Sequence, residues 1–215
     1  QTVGVVIPDI SNPYYAEIVR GIQDYAEAIG FSAFLQNTDR DIQKVIRDIY
    51  LLREKNVEGI LFSGGIITEE VQNALGSLKE KAFVIGRQKI DMPSIRIDNK
   101  SLTLRVVEYL ISLGHKKIGF IGGPKVSVTT EDRYRGYMQG IKEHNCIYSK
   151  EYALFGDLTL QSGYEKAVQM LSYGNRPTAI VTANDQIAFG TIKAIKDKGL
   201  RVPEDIAVTG FDNTP

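Results

Sequence analysis

The stretch Val3-Gly4-Val5-Val6-Ile7-Pro8 decides the fold, because a counterpart, Ile118-Gly119-Phe120-Ile121-Gly122-Gly123, occurs in the second half of the chain. Each stretch is a short apolar run that ends at a proline or at glycines, as a buried β-strand does. Each is followed by a loop and then by a segment with apolar residues at helical spacing. The sequence therefore predicts two halves built on the same strand–loop–helix scheme.

The same alternation continues outward from both stretches. Asn12-Pro13 suits the start of a helix in which apolar residues recur every three or four positions from Tyr14 to Ile29. Short apolar runs predict further strands at 31–35, 59–62, 82–85, 94–97, 117–121, 152–155, 179–182 and 206–210. Helical spacing predicts further helices at 42–52, 71–78, 102–113, 133–143, 162–171 and 186–198.

Strands that are apolar throughout and alternate with amphipathic helices indicate parallel sheets covered on both faces. The predicted fold class is therefore α/β, with two doubly wound parallel-sheet lobes, an N-terminal lobe at residues 1–100 and a C-terminal lobe at residues 101–215. Ligands of open α/β sheets bind at the carboxyl ends of the strands. A ligand cleft between the two lobes is the expected site.

Composition excludes several classes of function. The 215 residues carry 26 basic and 26 acidic side chains, so the chain lacks the positive surplus that gripping nucleic acid requires. A single cysteine and two histidines exclude a disulfide framework and make a metal site unexpected, and the cysteine content fits a reducing compartment. No apolar run approaches the roughly 20 residues of a membrane helix. We predict no metal, no cofactor and no membrane association.

Motifs for catalysis are missing as well. No Gly-x-Gly-x-x-Gly follows a strand, no phosphate-binding loop with a Gly-Lys-Ser/Thr ending occurs, and no strand is followed by a nucleophile elbow. The spacing of the carboxylates near strand ends does not select an acid/base pair. The prediction is that the protein is not an enzyme.

Polar and aromatic residues cluster directly after the predicted strands, where a ligand of a parallel sheet would lie. In-plane hydrogen bonding by Arg, Asn, Asp and Gln, together with stacking by aromatic rings, suits hydroxyl-rich or heterocyclic ligands. The segments concerned are 8–15, 37–39, 63–65, 86–88, 132–134, 156–158, 183–185 and 211–213.

At these segments the chain resembles the effector-binding core of the lactose-repressor/galactose-repressor (LacI/GalR) family of bacterial transcription regulators. The resemblance runs from residue 2 to residue 215 as an ordered set of motifs. The motifs are Val3 to Tyr15, Val57-Glu58-Gly59-Ile60-Leu61, Ile97-Asp98-Asn99, Leu113 to Gly123, Gly156-Asp157, Ser162-Gly163-Tyr164, Ala183 to Gly190 and Gly199 to Asn213.

The resemblance implies a two-lobed fold like that of periplasmic sugar-binding proteins (type I). It implies a homodimer whose affinity for operator DNA is set by a small effector: a sugar, a sugar phosphate or a purine-like molecule. It also implies a cytoplasmic location and leaves room for a protein co-regulator. The DNA-reading headpiece, and a C-terminal segment that returns to the first lobe, are expected to lie outside this chain.

The resemblance also implies site residues. Arg133 is expected to hold ligand hydroxyls or a carboxylate, Asp212 to accept ligand hydrogen bonds, and Asn184 to contact the ligand from its loop. Leu158 occupies a position where relatives often carry an aromatic residue. The complete predicted ligand-binding set is Tyr14, Tyr15, Gln88, Arg133, Leu158, Asn184 and Asp212.

Structural roles compete with these assignments. Tyr14 and Tyr15 suit the core face of a helix, and Arg133 and Asp212 suit a structural ion pair. Asp185 is assigned to structure alone, as the cap of a helix that begins near Gln186. The alternative function is a solute-binding protein of an extracytoplasmic sugar importer, which shares the fold; an enzyme is the third and least supported reading.

Overall fold

The computed structural model describes residues 1–214 and divides them into two compact units, residues 1–97 and residues 98–214. Each unit contains one parallel β-sheet with α-helices packed on both of its faces. The predicted α/β class with two doubly wound parallel-sheet lobes is confirmed. Among residues 1–214, no helix is both long and apolar enough to cross a lipid bilayer.

The first unit has a five-stranded sheet in the order β2-β1-β3-β4-β5, with every neighbouring pair parallel. The strands are β1 (Thr2–Ile7), β2 (Ser32–Asn37), β3 (Gly59–Ser63), β4 (Ala82–Ile85) and β5 (Ser94–Ile95). The helices are α1 (Pro13–Ala28), α2 (Ile42–Glu54) and α3 (Glu69–Leu75), and a 3-10 helix covers Gly76–Lys81.

Alternation along β1 separates the two cores of the first unit. Val5 packs with Tyr15 and Val19 of α1, whereas the next residue, Val6, packs with Ile49 of α2 on the opposite face. Successive side chains of a strand point to opposite faces, so a strand with helices on both sides must be apolar at every position. This requirement explains the uninterrupted apolar run that opens the sequence.

The second unit has a four-stranded parallel sheet in the order β7-β6-β8-β9. The strands are β6 (Ile118–Gly122), β7 (Ala153–Phe155), β8 (Ala179–Thr182) and β9 (Ala207–Thr209). The helices are α4 (Asn99–Ser112), α5 (Val128–Glu143), α6 (Leu160–Leu171) and α7 (Asp185–Asp197), and a 3-10 helix covers Lys150–Tyr152. One face of the sheet packs on α4 and α5, and the other packs on α6 and α7.

Several helix boundaries differ from the sequence prediction, and the local sequence explains two of the differences. Helix α3 ends at Leu75 because Gly76 adopts φ +54°, a left-handed value that ends a helix, and the chain continues as 3-10. Helix α5 begins at Val128, five residues before the predicted start, because the Ser127 side chain accepts from the Thr130 amide and caps it.

Candidate functional site

The side chain of Arg133 is the centre of a buried polar cluster in the second unit. Its Nε donates to Asn99 Oδ1 at 2.9 Å, one of its terminal nitrogens donates to the carbonyl of Ala183, and Nη2 lies 3.7 Å from Asp212 Oδ1. The guanidinium carbon lies 3.6 Å from the centroid of the Phe211 ring. The cation therefore contacts the start of α4, the loop after β8 and the loop after β9.

Two glycines of α5 allow this arrangement. A Cβ atom at Gly136 would collide with the Lys100 carbonyl of α4, and one at Gly140 would lie 2.7 Å from Val107 Cγ1. Without these Cβ atoms, α5 packs closely against α4. Arg133 precedes Gly136 by three residues, which places both on the same face of the helix and brings the arginine to the first turn of α4.

Asp212 is an electrostatically unusual carboxylate. Its side chain is 9% exposed, and its backbone adopts φ +107°, a region that residues other than glycine rarely enter. Its pKa is raised to about 6, mainly by burial; Arg133 opposes this shift, and the neighbouring Asp185 contributes to it. The pair with Arg133 thus offers a cation and a titratable acceptor on one edge of the sheet.

Asn184 lies in the loop after β8, as expected, but its visible role is structural. It is 3% exposed, its Oδ1 accepts from the Ile187 amide at 2.9 Å, and its Nδ2 donates to the Leu158 carbonyl at 3.3 Å. Asn184 is therefore the N-cap of α7.

The prediction that Asp185 caps this helix is wrong. Asp185 is already the first helical residue, and its Oδ2 instead accepts from the amide and the hydroxyl of Thr214, at 2.7 and 3.0 Å. A carboxylate in the first turn still interacts favourably with the helix dipole. The main contact of the Asp185 side chain, however, is with Thr214, and it holds the segment that follows Asp212 in place.

Leu158 is partly buried and packs with the cluster formed by α6 and α7. A Cβ atom at Gly123 would lie 2.5 Å from Leu158 Cδ2, so the leucine side chain rests on that glycine. The residue covers the core at the carboxyl edge of the sheet, and an aliphatic side chain there cannot stack as an aromatic ring does.

In the first unit, Tyr14 and Tyr15 form an edge-to-face pair with centroids 5.1 Å apart. Tyr15 is 7% exposed and packs on Val5 and Ile7, and a Cβ atom at Gly64 would lie 2.5 Å from its hydroxyl oxygen. Tyr15 is therefore a core residue whose hydroxyl reaches the loop after β3, whereas Tyr14 is partly exposed.

Gln88 fastens that same loop. Its Oε1 accepts from the Ile67 amide at 3.2 Å, and its Nε2 donates to the Gly65 carbonyl at 3.1 Å. Close by in sequence, the Ser63 hydroxyl at the end of β3 is buried and lacks a hydrogen-bond partner among the described residues. Sequence reasoning noted Ser63 only as part of a loop.

Sequence reasoning missed two contacts of Arg133. Asn99 and Phe211 both stood inside quoted motifs, yet no pattern indicated that either touches the arginine. Only the packing of α4 on α5, and the course of the chain after β9, bring them to it. Within residues 1–214, no group of three or more His, Cys, Asp or Glu side chains is arranged to hold a metal ion.

A match to a known protein family covers all the described residues. The profile described as "Periplasmic binding proteins and sugar binding domain of LacI family" matches residues 1–214. The chain belongs to this family. Its membership confirms the resemblance drawn from the sequence motifs, and it accounts for the parallel sheets of both units.

Named relatives agree with this assignment. The chain is 36% identical over 218 residues to Catabolite control protein A of Priestia megaterium and 31% identical over 218 residues to the transcriptional repressor CytR of Escherichia coli. The aligned region covers 99% of this chain in both cases but only 65% and 63% of the length of those two relatives. The crystal structure of the transcription regulator CcpA of Lactococcus lactis superposes with a TM-score of 0.91 at 29% identity, over 100% of this chain and 79% of that one. These relatives are named as a control protein, a transcriptional repressor and a transcription regulator, in agreement with the prediction that the protein is not an enzyme.

Proposed function

We propose that this LacI-family chain binds a small hydroxylated effector at the carboxyl edge of the sheet in residues 98–214. The observation that carries the proposal is the pairing of Arg133 with Asp212 beside the Phe211 ring. A cation with several N–H donors, a carboxylate acceptor and an aromatic face are the groups with which proteins hold hydroxyls and heterocycles.

The charge of this cluster favours an uncharged ligand. Arg133 already contacts the Asp212 carboxylate and donates to Asn99 and Ala183, while Asp185 adds a second carboxylate nearby. A phosphate would have to compete with these carboxylates for the Arg133 guanidinium, and like charges at short range are unfavourable. A neutral sugar or a nucleoside is thus favoured over a sugar phosphate.

Tyr14, Tyr15, Gln88, Leu158 and Asn184 remain predicted ligand contacts. For Asn184, a ligand contact must coexist with its capping bonds to Ile187 and Leu158. For Gln88, both ends of the amide are engaged by backbone groups, so a ligand would meet a side chain whose orientation is already fixed.

For the whole protein, we propose a cytoplasmic homodimeric transcription regulator. Its operator affinity would respond to the effector, and DNA would be contacted by a headpiece outside residues 1–215. The names of the relatives support the regulatory part of this assignment. A protein co-regulator is compatible with the same arrangement. Coupling between effector and operator in such a system corresponds to a change in affinity of about 5- to 150-fold.

A thermal-shift screen tests ligand binding. The panel contains pentoses, hexoses, their phosphates, nucleosides and purine bases. A ligand at 100 times its Kd should stabilise the chain by about 2.7 kcal/mol. Asp212→Asn should weaken the shift for a sugar or nucleoside. The matched control is Asp24→Asn, because the Asp24 side chain is 71% exposed on α1, outside the cluster.

Two results would contradict the proposal. One is a sugar phosphate that outcompetes its neutral sugar, since this would show that the cluster selects anions. The other is a ligand whose affinity Asp212→Asn leaves at the wild-type value. Operator binding by the full-length protein, with and without the best ligand, tests the regulatory part separately.

A further inference from the structure

We propose that Asn99 positions Arg133 and thereby couples the first turn of α4 to the segment 211–214. The residue is not a ligand contact in this proposal; it acts through the arginine. Its consequence for the effector rests on the proposed function, whereas the coupling itself is a property of the chain alone.

Asn99 is held where its side chain meets the arginine. Asn99 is 6% exposed and is the first residue of α4. The preceding residue, Asp98, caps the helix: its carboxylate accepts hydrogen bonds from the Ser101 amide at 3.0 Å and from the Ser101 hydroxyl at 2.7 Å. The Asn99 carbonyl accepts from the Thr103 hydroxyl at 2.8 Å. With its backbone fixed at a capped helix start, the side chain presents Oδ1 to Arg133 Nε at 2.9 Å.

This bond orients the guanidinium. Nε is the donor closest to the aliphatic stem, so an acceptor placed there fixes the rotation of the planar group and with it the direction of both terminal nitrogens. In this orientation Nη2 faces Asp212 and the flat face covers the Phe211 ring. An apolar residue at 99 would leave Nε buried without this acceptor.

On the side away from Asn99, the Arg133 guanidinium contacts the last described segment of the unit, residues 211–214. Arg133 contacts Phe211 and Asp212, the Phe211 carbonyl accepts from the Asp185 amide at 2.9 Å, and Asp185 binds Thr214. The compact unit begins at residue 98, so its first turn and its last residues are attached to one side chain.

This attachment has a consequence for regulation under the proposed function. A ligand that displaces Asp212 from Arg133 would act on the arginine that contacts both segments. The chain enters the unit at one of these segments, so the site is linked to the connection between residues 97 and 98 without any further element.

Amide hydrogen exchange on the 215-residue chain, without ligand, tests the coupling. Asn99→Ala should speed exchange in the first turn of α4 by about tenfold, the factor for one lost charge-assisted hydrogen bond. It should also speed exchange at 211–214 by about threefold or more, although these residues lie more than a hundred positions away in sequence. Asn99→Asp keeps an acceptor for Nε and should leave both segments near the wild-type rates.

Asp98→Ala is the matched control. It removes the cap of the same helical turn but keeps the Asn99 side-chain amide as an acceptor for Nε, so it should speed exchange in the first turn of α4 and change exchange at 211–214 less than Asn99→Ala does. Unchanged exchange at 211–214 in Asn99→Ala, or an equal increase there in Asp98→Ala, would overturn the proposal. Should Asn99→Ala fail to fold, Asn99→Ser, with a hydroxyl too short to reach Nε, is measured against the same control.

Because no ligand is used, this experiment stands apart from the thermal-shift screen. A positive exchange result with an empty ligand screen would retain the coupling and reject the effector assignment. A ligand that binds in the screen, with no change in exchange at 211–214 in Asn99→Ala, would retain the effector assignment and reject the coupling.

Discussion

The guanidinium carbon of Arg133 lies 3.6 Å from the centroid of the Phe211 ring, while Nη2 of the same group lies 3.7 Å from Asp212 Oδ1. Two consecutive residues thus contact one cation by different means, the first through its ring face and the second through its charge. A desolvated cation over an aromatic face is stabilised by about 2 kcal/mol. The loop after β9 is therefore held by Arg133 through interactions that do not depend on a ligand.

Two substitutions of Phe211 distinguish the contribution of its aromatic ring face from the contribution of its apolar volume. We expect Phe211→Ala to lower the free energy of unfolding of residues 98–214 by about 2 to 3 kcal/mol, because packing and the cation–ring contact are both lost. Phe211→Leu keeps apolar volume without the ring face and should cost about 1 kcal/mol. Urea denaturation measures both. Wild-type stability of Phe211→Leu would show that the ring face contributes nothing.

Asp212 should give the chain a distinctive pH dependence. Its pKa is raised to about 6 in the folded chain, mainly by burial, from an ordinary value of 3.8. The folded state therefore holds this proton more tightly than the unfolded state. The resulting stabilisation is fully present below about pH 4 and is lost as the pH rises through 6, by about 1 to 3 kcal/mol.

The comparison with Asp212→Asn isolates this effect. Asp39, Asp98, Asp197 and Asp205 have lowered pKa values through hydrogen bonds, and their contributions, which are lost as the pH falls, cancel in the difference between the two proteins. The stability of wild type minus that of Asp212→Asn, from urea unfolding at pH 4 and pH 7, should fall with rising pH. A flat or rising difference would mean that Asp212 is not buried as described.

The order of elements was predictable because apolar periodicity and strand-end glycines are local signals. Val5 and Val6 pack on opposite faces of one sheet, which is what an apolar run without polar interruption indicates. Family resemblance also pointed to Arg133 and Asp212, which the structure brings to 3.7 Å.

What the sequence could not supply is the identity of partners. Asn184 and Asp185 are adjacent and both suit an N-cap, and only the course of the chain after β9, which brings Thr214 to Asp185, decides which one caps α7. Likewise, Asn99 meets Arg133 because two helices pack closely, a relation between residues 34 positions apart that no spacing rule encodes.

Substitutions at Asn184 distinguish capping from ligand contact. Asn184→Ala should destabilise the chain by about 1 to 2 kcal/mol, because the Ile187 amide loses its acceptor at a buried helix start. Asn184→Ser keeps a capping hydroxyl and should recover most of this loss. If Asn184 also contacts the effector, Asn184→Ser will bind it more weakly in calorimetric titration at near-normal stability. Equal destabilisation by alanine and serine would contradict the capping role.

The contact between α4 and α5 should be intolerant of a single added methyl group. A Cβ atom at Gly136 would collide with the backbone carbonyl of Lys100, which cannot rotate away as a side chain can. We expect Gly136→Ala to lower the free energy of unfolding by about 1 to 3 kcal/mol through overpacking, even though alanine favours helix more than glycine. Because the collision would push α5 from α4, Arg133 should also lose its bond to Asn99.

Gly21→Ala is the control for this last prediction, since Gly21 is exposed on α1 and a Cβ atom there would meet no atom within 4 Å. The same substitution should then stabilise the chain by about 0.5 to 1 kcal/mol through helix propensity alone. Opposite signs for the two variants in urea denaturation would attribute the Gly136 effect to the helix contact. A stabilising Gly136→Ala would mean that α5 lies farther from α4 than described, and that the approach of Arg133 to Asn99 does not depend on this glycine.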